Sequence, residues 1–236
     1  ALPEWAGGVS VVTLGLIDSG VDRLRHEPVA SRLFTLEGDR VCSAPAQPDR
    51  LGHGSAVADI LLAGEPATPL LNAQVFCDRL SCGAQQVAAA LDWLVESGAT
   101  LVNMSFGLRA DRPVLRDACE RAAEAGVILV ASAPARGDAV YPAAYPGVLR
   151  AMGDARCRGD EISFLGDEGD AYSGRVHFGG QVRRGDAGIA GASVGCAYVA
   201  RQALGVLVKN PGMDRAQLYA ALVKRATYRG PERRRA

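Results

Sequence analysis

Five short apolar runs, spaced by stretches of helical periodicity, constrain this 236-residue chain more than any other feature. Residues 9–17 are β-rich and almost continuously apolar, the pattern of a strand buried on both faces of a parallel sheet. Residues 70–76, 100–105, 127–131 and 147–152 read as four further strands. Between them lie helical patterns with recognisable ends. One opens at His53 and stops near Gly64 and Pro66. A second, over 84–97, places Val87, Ala90, Leu91 and Leu94 on one face and closes at Gly98. A third, over 113–125, has proline in its first turn and Gly126 just past its end. A long apolar pattern follows Ser193, and Asp214 with Gln217 has capping-box spacing ahead of a last helix ending near Ala226. Residues 23–50 are polar and rich in Pro, Arg and Asp, and read as a surface excursion. Residues 153–190 read as loops and short strands. This alternation predicts an α/β fold of three layers, with a mostly parallel central sheet flanked by helices. No repeat or linker divides the chain, so residues 1–236 are expected to form a single domain, with a basic solvated tail from about 228.

Composition excludes more than it identifies. Formal net charge is zero, hydrophobic content is 48% and charged content 22%. Nothing global therefore favours nucleic acid or an anionic membrane. No apolar run reaches membrane-spanning length, and residues 1–5 do not form a signal peptide. The six cysteines at 42, 77, 82, 119, 157 and 196 are scattered. Cys119 and Cys196 fall on helical patterns as small core residues, which suits a reducing compartment. The spacing of Cys77 and Cys82 leaves a bridge open. Three histidines and this cysteine spacing do not make a zinc site.

Three positions carry chemistry. Asp18 ends the first strand, where open α/β sheets keep their ligands, although Asp-Ser-Gly is also a turn. His53 lies between Gly52 and Gly54 at a helix start, where it could equally serve as a cap. Ser193 sits among small residues in the first turn of a buried helix. Unpaired N–H groups and the helix dipole there favour an oxyanion, although a small serine also suits a packing seam. Together they form an orienting carboxylate, a general base and a nucleophile. Gly191-Ala-Ser-Val-Gly195 matches the G-x-S-x-G elbow of α/β-hydrolases, but no histidine follows Ser193. The order Asp, His, Ser on an α/β chain leaves the subtilisin arrangement.

Ile17-Asp-Ser-Gly-Val21, Gly52-His-Gly-Ser-Ala-Val-Ala58 and Gly191-Ala-Ser-Val-Gly-Cys-Ala-Tyr-Val-Ala200 resemble the three signature motifs of the subtilisin-like serine proteases. Val102-Asn-Met-Ser-Phe-Gly107, Tyr141-Pro-Ala-Ala-Tyr-Pro-Gly-Val148 and Asn210-Pro-Gly-Met-Asp-Arg-Ala-Gln-Leu218 resemble further segments of that family in the same order. The resemblance implies a three-layer subtilisin-like fold and an Asp18–His53–Ser193 triad acting through an acyl-enzyme. It also implies an extended peptide or protein precursor as substrate, paired with Ser105, Phe106 and Gly107 on one side of the first specificity pocket. Ala131, Ser132 and Ala133 would line the other side. The implied mechanism needs no cofactor. The loop before residue 70 is too short for the calcium-binding loop of many secreted members, so no metal is expected.

The chain departs from the family at the oxyanion hole. Ala135 stands where an asparagine usually donates, and Ala192 and Ala197 replace the usual threonine and proline around the nucleophile. The remaining donors would be the Ser193 backbone N–H and, from the neighbouring position, Arg136. The expectation is a cytoplasmic processing endopeptidase that removes a leader peptide. The alternative is a pseudoprotease that holds an extended peptide without cutting it. The acids Asp154, Asp160, Glu161, Asp167, Glu168 and Asp170 would form either an acidic pocket wall or solvated loops.

Overall fold

A computed structural model describes residues 11–135, 137–166, 177–182 and 190–230. Its ten strands are β1 Leu14–Asp18, β2 Ala30–Glu37, β3 Arg40–Pro45, β4 Leu70–Gln74, β5 Leu101–Met104, β6 Ile128–Ser132, β7 Val148–Asp154, β8 Ser163–Phe164, β9 Phe178–Gln181 and β10 Tyr228–Arg229. The helices are α1 His53–Leu62, α2 Ala84–Glu96, α3 Pro113–Glu124, α4 Ala192–Lys209 and α5 Arg215–Arg225. The strands form one sheet in the order β10-β8-β9-β7-β6-β5-β1-β4-β2-β3. Only the β2–β3 and β8–β9 pairings are antiparallel.

Side-chain alternation along the central strands supplies two cores, one on each face of the sheet. Leu14, Leu16, Leu101, Ile128 and Val130 pack with Val57 and Leu61 of α1, Val199 and Leu204 of α4, and Leu218 and Leu222 of α5. The intervening Ile17, Val102, Leu129 and Ala131 pack with Val87, Leu91 and Leu94 of α2 and Leu115 and Ala122 of α3. Each fully buried leucine contributes about 1.5–3 kcal/mol of transfer free energy. This is the expected three-layer, mostly parallel architecture. In α5, Asp214 accepts from Gln217 N at 2.8 Å and the Gln217 side chain returns to Asp214 N at 3.0 Å, completing the expected box.

Three expectations need correction. The excursion over 23–50 contains the β2–β3 hairpin, turning at Gly38 with φ 61°. Leu33 and Phe34 are its only buried large apolar residues. An edge hairpin this exposed carries too little alternation to read as strands. Of the described part of the first run, residues 11–13 precede the strand, which covers Leu14–Asp18; residues 9 and 10 lie outside the described residues. The segment expected to be a solvated tail begins inside the sheet. Tyr228 and Arg229 pair with Ser163 and Phe164, and Gly230 N donates to Phe164 O at 2.8 Å.

Candidate active site

β1 lies between β4 and β5 at the centre of the sheet, and its last residue is Asp18. The Asp18 side chain is fully buried, and its Oδ1 accepts from Ser19 N and faces His53 Nδ1, each at 2.7 Å. Oδ2 is buried with no hydrogen-bond partner among the described residues. With Nδ1 held by Asp18, Nε2 of His53 is left for proton exchange. Burial works against the charged imidazole, but the hydrogen bond and charge of Asp18, with the charge of Asp49, raise the His53 pKa above its ordinary value.

His53 is the first residue of α1. That helix start lies so close to the loop after β1 that a Cβ on Gly54 would come within 2.1 Å of Gly20 O. Gly195 does the same on α4, where a Cβ would meet Met152 O at 2.1 Å. Gly54 and Gly195 are therefore required by close backbone approach, whereas Gly52 and Gly191 have open space and are required by their positive φ of 69° and 96°.

Ser193 is the second residue of α4, which begins at Gly191 with no side-chain cap. The first helical backbone bond there is Gly195 N to Gly191 O, so the Ser193 N–H is one of the unpaired first-turn donors. The hydroxyl donates to Ser105 O at 2.6 Å rather than to His53. Ser105 Oγ donates to Ser193 O at 3.1 Å and accepts from Asn103 Nδ2 at 2.9 Å. Beneath them Cys196 donates weakly to Asn103 Oδ1 at 3.5 Å, and burial pushes its thiol up to about 12.

The remaining expected residues divide. Ser105 is buried, Phe106 half-buried and Gly107 exposed. Among the described residues no backbone hydrogen bond reaches Phe106 or Gly107, while Leu108 pairs with Tyr141 just beyond them. An extended peptide would find an open edge there. Ala131, Ser132 and Ala133 are buried at the end of β6, with Ala133 N bonded to Ala151 O at 2.8 Å. Ala135 is exposed and brings only a methyl group; Arg136 lies outside the described residues.

Of the acids considered for a pocket wall, Asp154 is 4% exposed and bound to Arg156 and Ser163, Asp160 pairs with Arg201 at 3.0 Å, and Glu161 accepts from Arg158 N. These three are engaged in structure. Asp167, Glu168 and Asp170 lie outside the described residues. All six cysteines are free thiols, so Cys77 and Cys82 are not bridged.

Sequence reading missed the supporting residues. Asp49, Ser19 and Ser55 link the Asp18 loop to α1. Buried Gln74 donates to Ser19 O at 2.7 Å and accepts from Gln47 N at 2.7 Å. The usable signal was an acid one turn ahead of a helix that opens on glycine, where no side chain can cap. It lay within the excursion read as surface.

A histidine bonded to a buried strand-end carboxylate, with a serine at the start of a helix packed against the same sheet, fits the serine-hydrolase type of site on a parallel α/β scaffold. The chain belongs to the subtilase family, whose sequence pattern matches residues 10–235. It is 26% identical over 182 residues to the minor extracellular protease Epr of Bacillus subtilis, covering 68% of this chain and 27% of that protein. It is 28% identical over 204 residues to a thermostable alkaline protease of Halalkalibacterium halodurans, covering 80% and 56%. The chain thus spans only about a quarter to a half of these relatives' lengths. Among solved structures, the prenylagaramide maturation protease PagA superposes with a TM-score of 0.64 at 19% identity, covering 87% of this chain and 80% of that one. A lanthipeptide protease superposes with 0.65 at 19%, covering 90% and 79%. These two likenesses show the fold. No helix among the described residues is long and apolar enough to cross a membrane.

Proposed function

We propose that this chain is a serine endopeptidase acting through Asp18, His53 and Ser193. The observation that carries the reading is the 2.7 Å contact between Asp18 Oδ1 and His53 Nδ1, at a sheet against which α4 packs with Ser193 at its uncapped start. Extended substrate adds as a strand along Ser105, Phe106 and Gly107, with Ala131, Ser132 and Ala133 across the pocket. A substrate N–H that takes the Ser105 carbonyl displaces the Ser193 hydroxyl, which turns to His53. His53 Nε2 takes the hydroxyl proton as Oγ bonds to the scissile carbon and the carbonyl electron pair moves onto oxygen. That oxyanion meets the Ser193 N–H. Collapse expels the amine, which leaves with the proton from His53. Water then cleaves the acyl-enzyme with His53 as base, releasing the acid and restoring Ser193.

The role we infer is that of a dedicated processing protease, working in the cytoplasm, that removes a leader peptide from a precursor. Free cysteines throughout suit a reducing compartment. A missing asparagine at position 135 suits an enzyme slow on general substrates, since one oxyanion donor is worth roughly 10²–10³ in turnover. Solved structures of similar fold include proteins described as a maturation protease and a lanthipeptide protease. As a type, the chain resembles the leader-cleaving protease of quinohemoprotein amine dehydrogenase small-subunit maturation.

A fluorophosphonate probe tests the chemistry. Labelling of the wild type, lost in Ser193→Ala, is the expected result. A folded wild type that takes no label would leave the pseudoprotease reading, which rests on Ala135 and Ala192. Mass mapping of cuts in a peptide library tests the dedicated role: few, context-restricted cuts support it, and unselective digestion overturns it.

A further inference from the structure

α1 begins with a defect. Its N-cap is Gly52, with φ 69°, and glycine has no side chain to satisfy the first-turn N–H groups. Asp49, three residues upstream, does so from outside the helix. Its Oδ1 accepts from Leu51 N at 3.2 Å and Gly52 N at 2.9 Å, and its Oδ2 accepts from Ser55 N at 2.9 Å and Ser55 Oγ at 2.6 Å. Oδ1 also accepts from Ser19 Oγ at 2.8 Å, and Ser19 Oγ accepts from Gly54 N at 2.8 Å. Ser55 Oγ closes the circuit by accepting from Asp22 N at 2.8 Å. One carboxylate thus joins the residue after Asp18 to the residues on both sides of His53.

From this circuit we propose that Asp49 is a positioning residue of the active site, holding the Asp18 loop and the His53 helix in register and opposing the positive end of the α1 dipole beneath the imidazole. The proposal rests on the protease reading of His53 and Ser193. A helix N-terminus disfavours an imidazolium at its first residue, and the mechanism forms one there. A carboxylate at the same helix end offsets that penalty while its hydrogen bonds hold the ring's support still. Asp49 contributes to the upward shift of the His53 pKa alongside Asp18. The charged groups acting on His53 are Asp18 from β1 and Asp49 from the loop before α1. Arg50 points away to Asp78 at 3.8 Å, and the Ser193 hydroxyl is engaged with Ser105.

Asp49→Asn keeps one acceptor oxygen and removes the charge. Ser19→Ala breaks only the link to the Asp18 loop. After fluorophosphonate titration of active sites, Asp49→Asn is expected to lower kcat by about tenfold or more with little change in KM, within the reach of a small misplacement. The acid limb of its kcat/KM profile should move to lower pH. Ser19→Ala should lower kcat less and leave that limb nearly in place. An NMR titration of the His53 ring in wild type and Asp49→Asn reads the coupling without turnover, and His53 is expected to titrate lower in the variant. Unchanged kcat per titrated site, or an unmoved His53 titration, would overturn the proposal and leave Asp49 as a helix cap alone. A wild type that takes no label would instead sink the protease reading, and the NMR comparison would still decide whether Asp49 tunes His53.

Discussion

On the Asp18–His53 side of the site, one carboxylate and two serine hydroxyls tie the loop after β1 to the start of α1, and a buried glutamine amide holds that loop from β4. On the Ser193 side, the helix start is uncapped, the hydroxyl is parked on a backbone carbonyl, and the neighbouring loop offers the methyl group of Ala135. On the proposed mechanism, the acid–base half is thus pre-arranged before any substrate arrives, whereas the half that would stabilise the oxyanion is sparsely furnished. Pre-arranged groups cost no reorganisation at the moment of reaction. Where they are missing, the correct substrate can supply the missing order, at the expense of rate on everything else. On that reading, selectivity in this chain would come from an incomplete oxyanion side rather than from a charged pocket, the described acids being engaged elsewhere.

Four experiments test that contrast. The largest effect is expected from Ser193→Ala, which removes the nucleophile and should lower kcat by about 10⁶-fold. Stopped assays with mass detection would measure it, and residual turnover within tenfold of wild type would exclude the triad. Next is Gly54→Ala. The added methyl cannot coexist with Gly20 O at 2.1 Å, so the first turn of α1 must move. We expect a loss of about 1–3 kcal/mol in stability, as for overpacking, and about a 10²-fold fall in kcat from the displaced His53. Thermal melting with active-site titration separates the two, and an unaffected kcat would show that the acid–base half is not held as tightly as described.

Ala135→Asn works in the opposite direction, by furnishing the poor half. Turnover of a small generic substrate should rise by about 10–100-fold, within the worth of an oxyanion donor, with little change on a substrate that completes the hole itself. No gain in a folded, labelled variant would mean that another group already donates there.

The smallest effect concerns pH. His53 must be neutral to accept a proton, and its pKa lies above the ordinary 6.5. The acid limb of kcat/KM is therefore expected above pH 6.5. The stability linkage has the opposite sense. A raised folded pKa stabilises fully below the unfolded value, and that increment fades as pH climbs through the folded value. Activity should thus rise with pH as this part of the stability is lost. A limb below pH 6.5 would contradict the charged environment assigned to His53.

Much of the molecule was legible without coordinates. The strand-and-helix alternation, both ends of α2 and α3, and the Asp214–Gln217 box are written in residues a few positions apart, because capping and amphipathic packing act over one or two turns. Asp18, His53 and Ser193 stood out because small residues and strand or helix ends mark side chains that other groups must reach. The β2–β3 hairpin did not, since only Leu33 and Phe34 are buried along it and an exposed edge leaves no alternation. The pairing of Tyr228 and Arg229 with β8 joins residues more than sixty positions apart, and a two-residue strand has no periodicity. Tertiary structure alone decided what Asp49 touches, where the Ser193 hydroxyl rests, and why Gly54 and Gly195 cannot bear a side chain. Those facts depend on distances between segments far apart in the chain, and no local pattern of residue types encodes a distance.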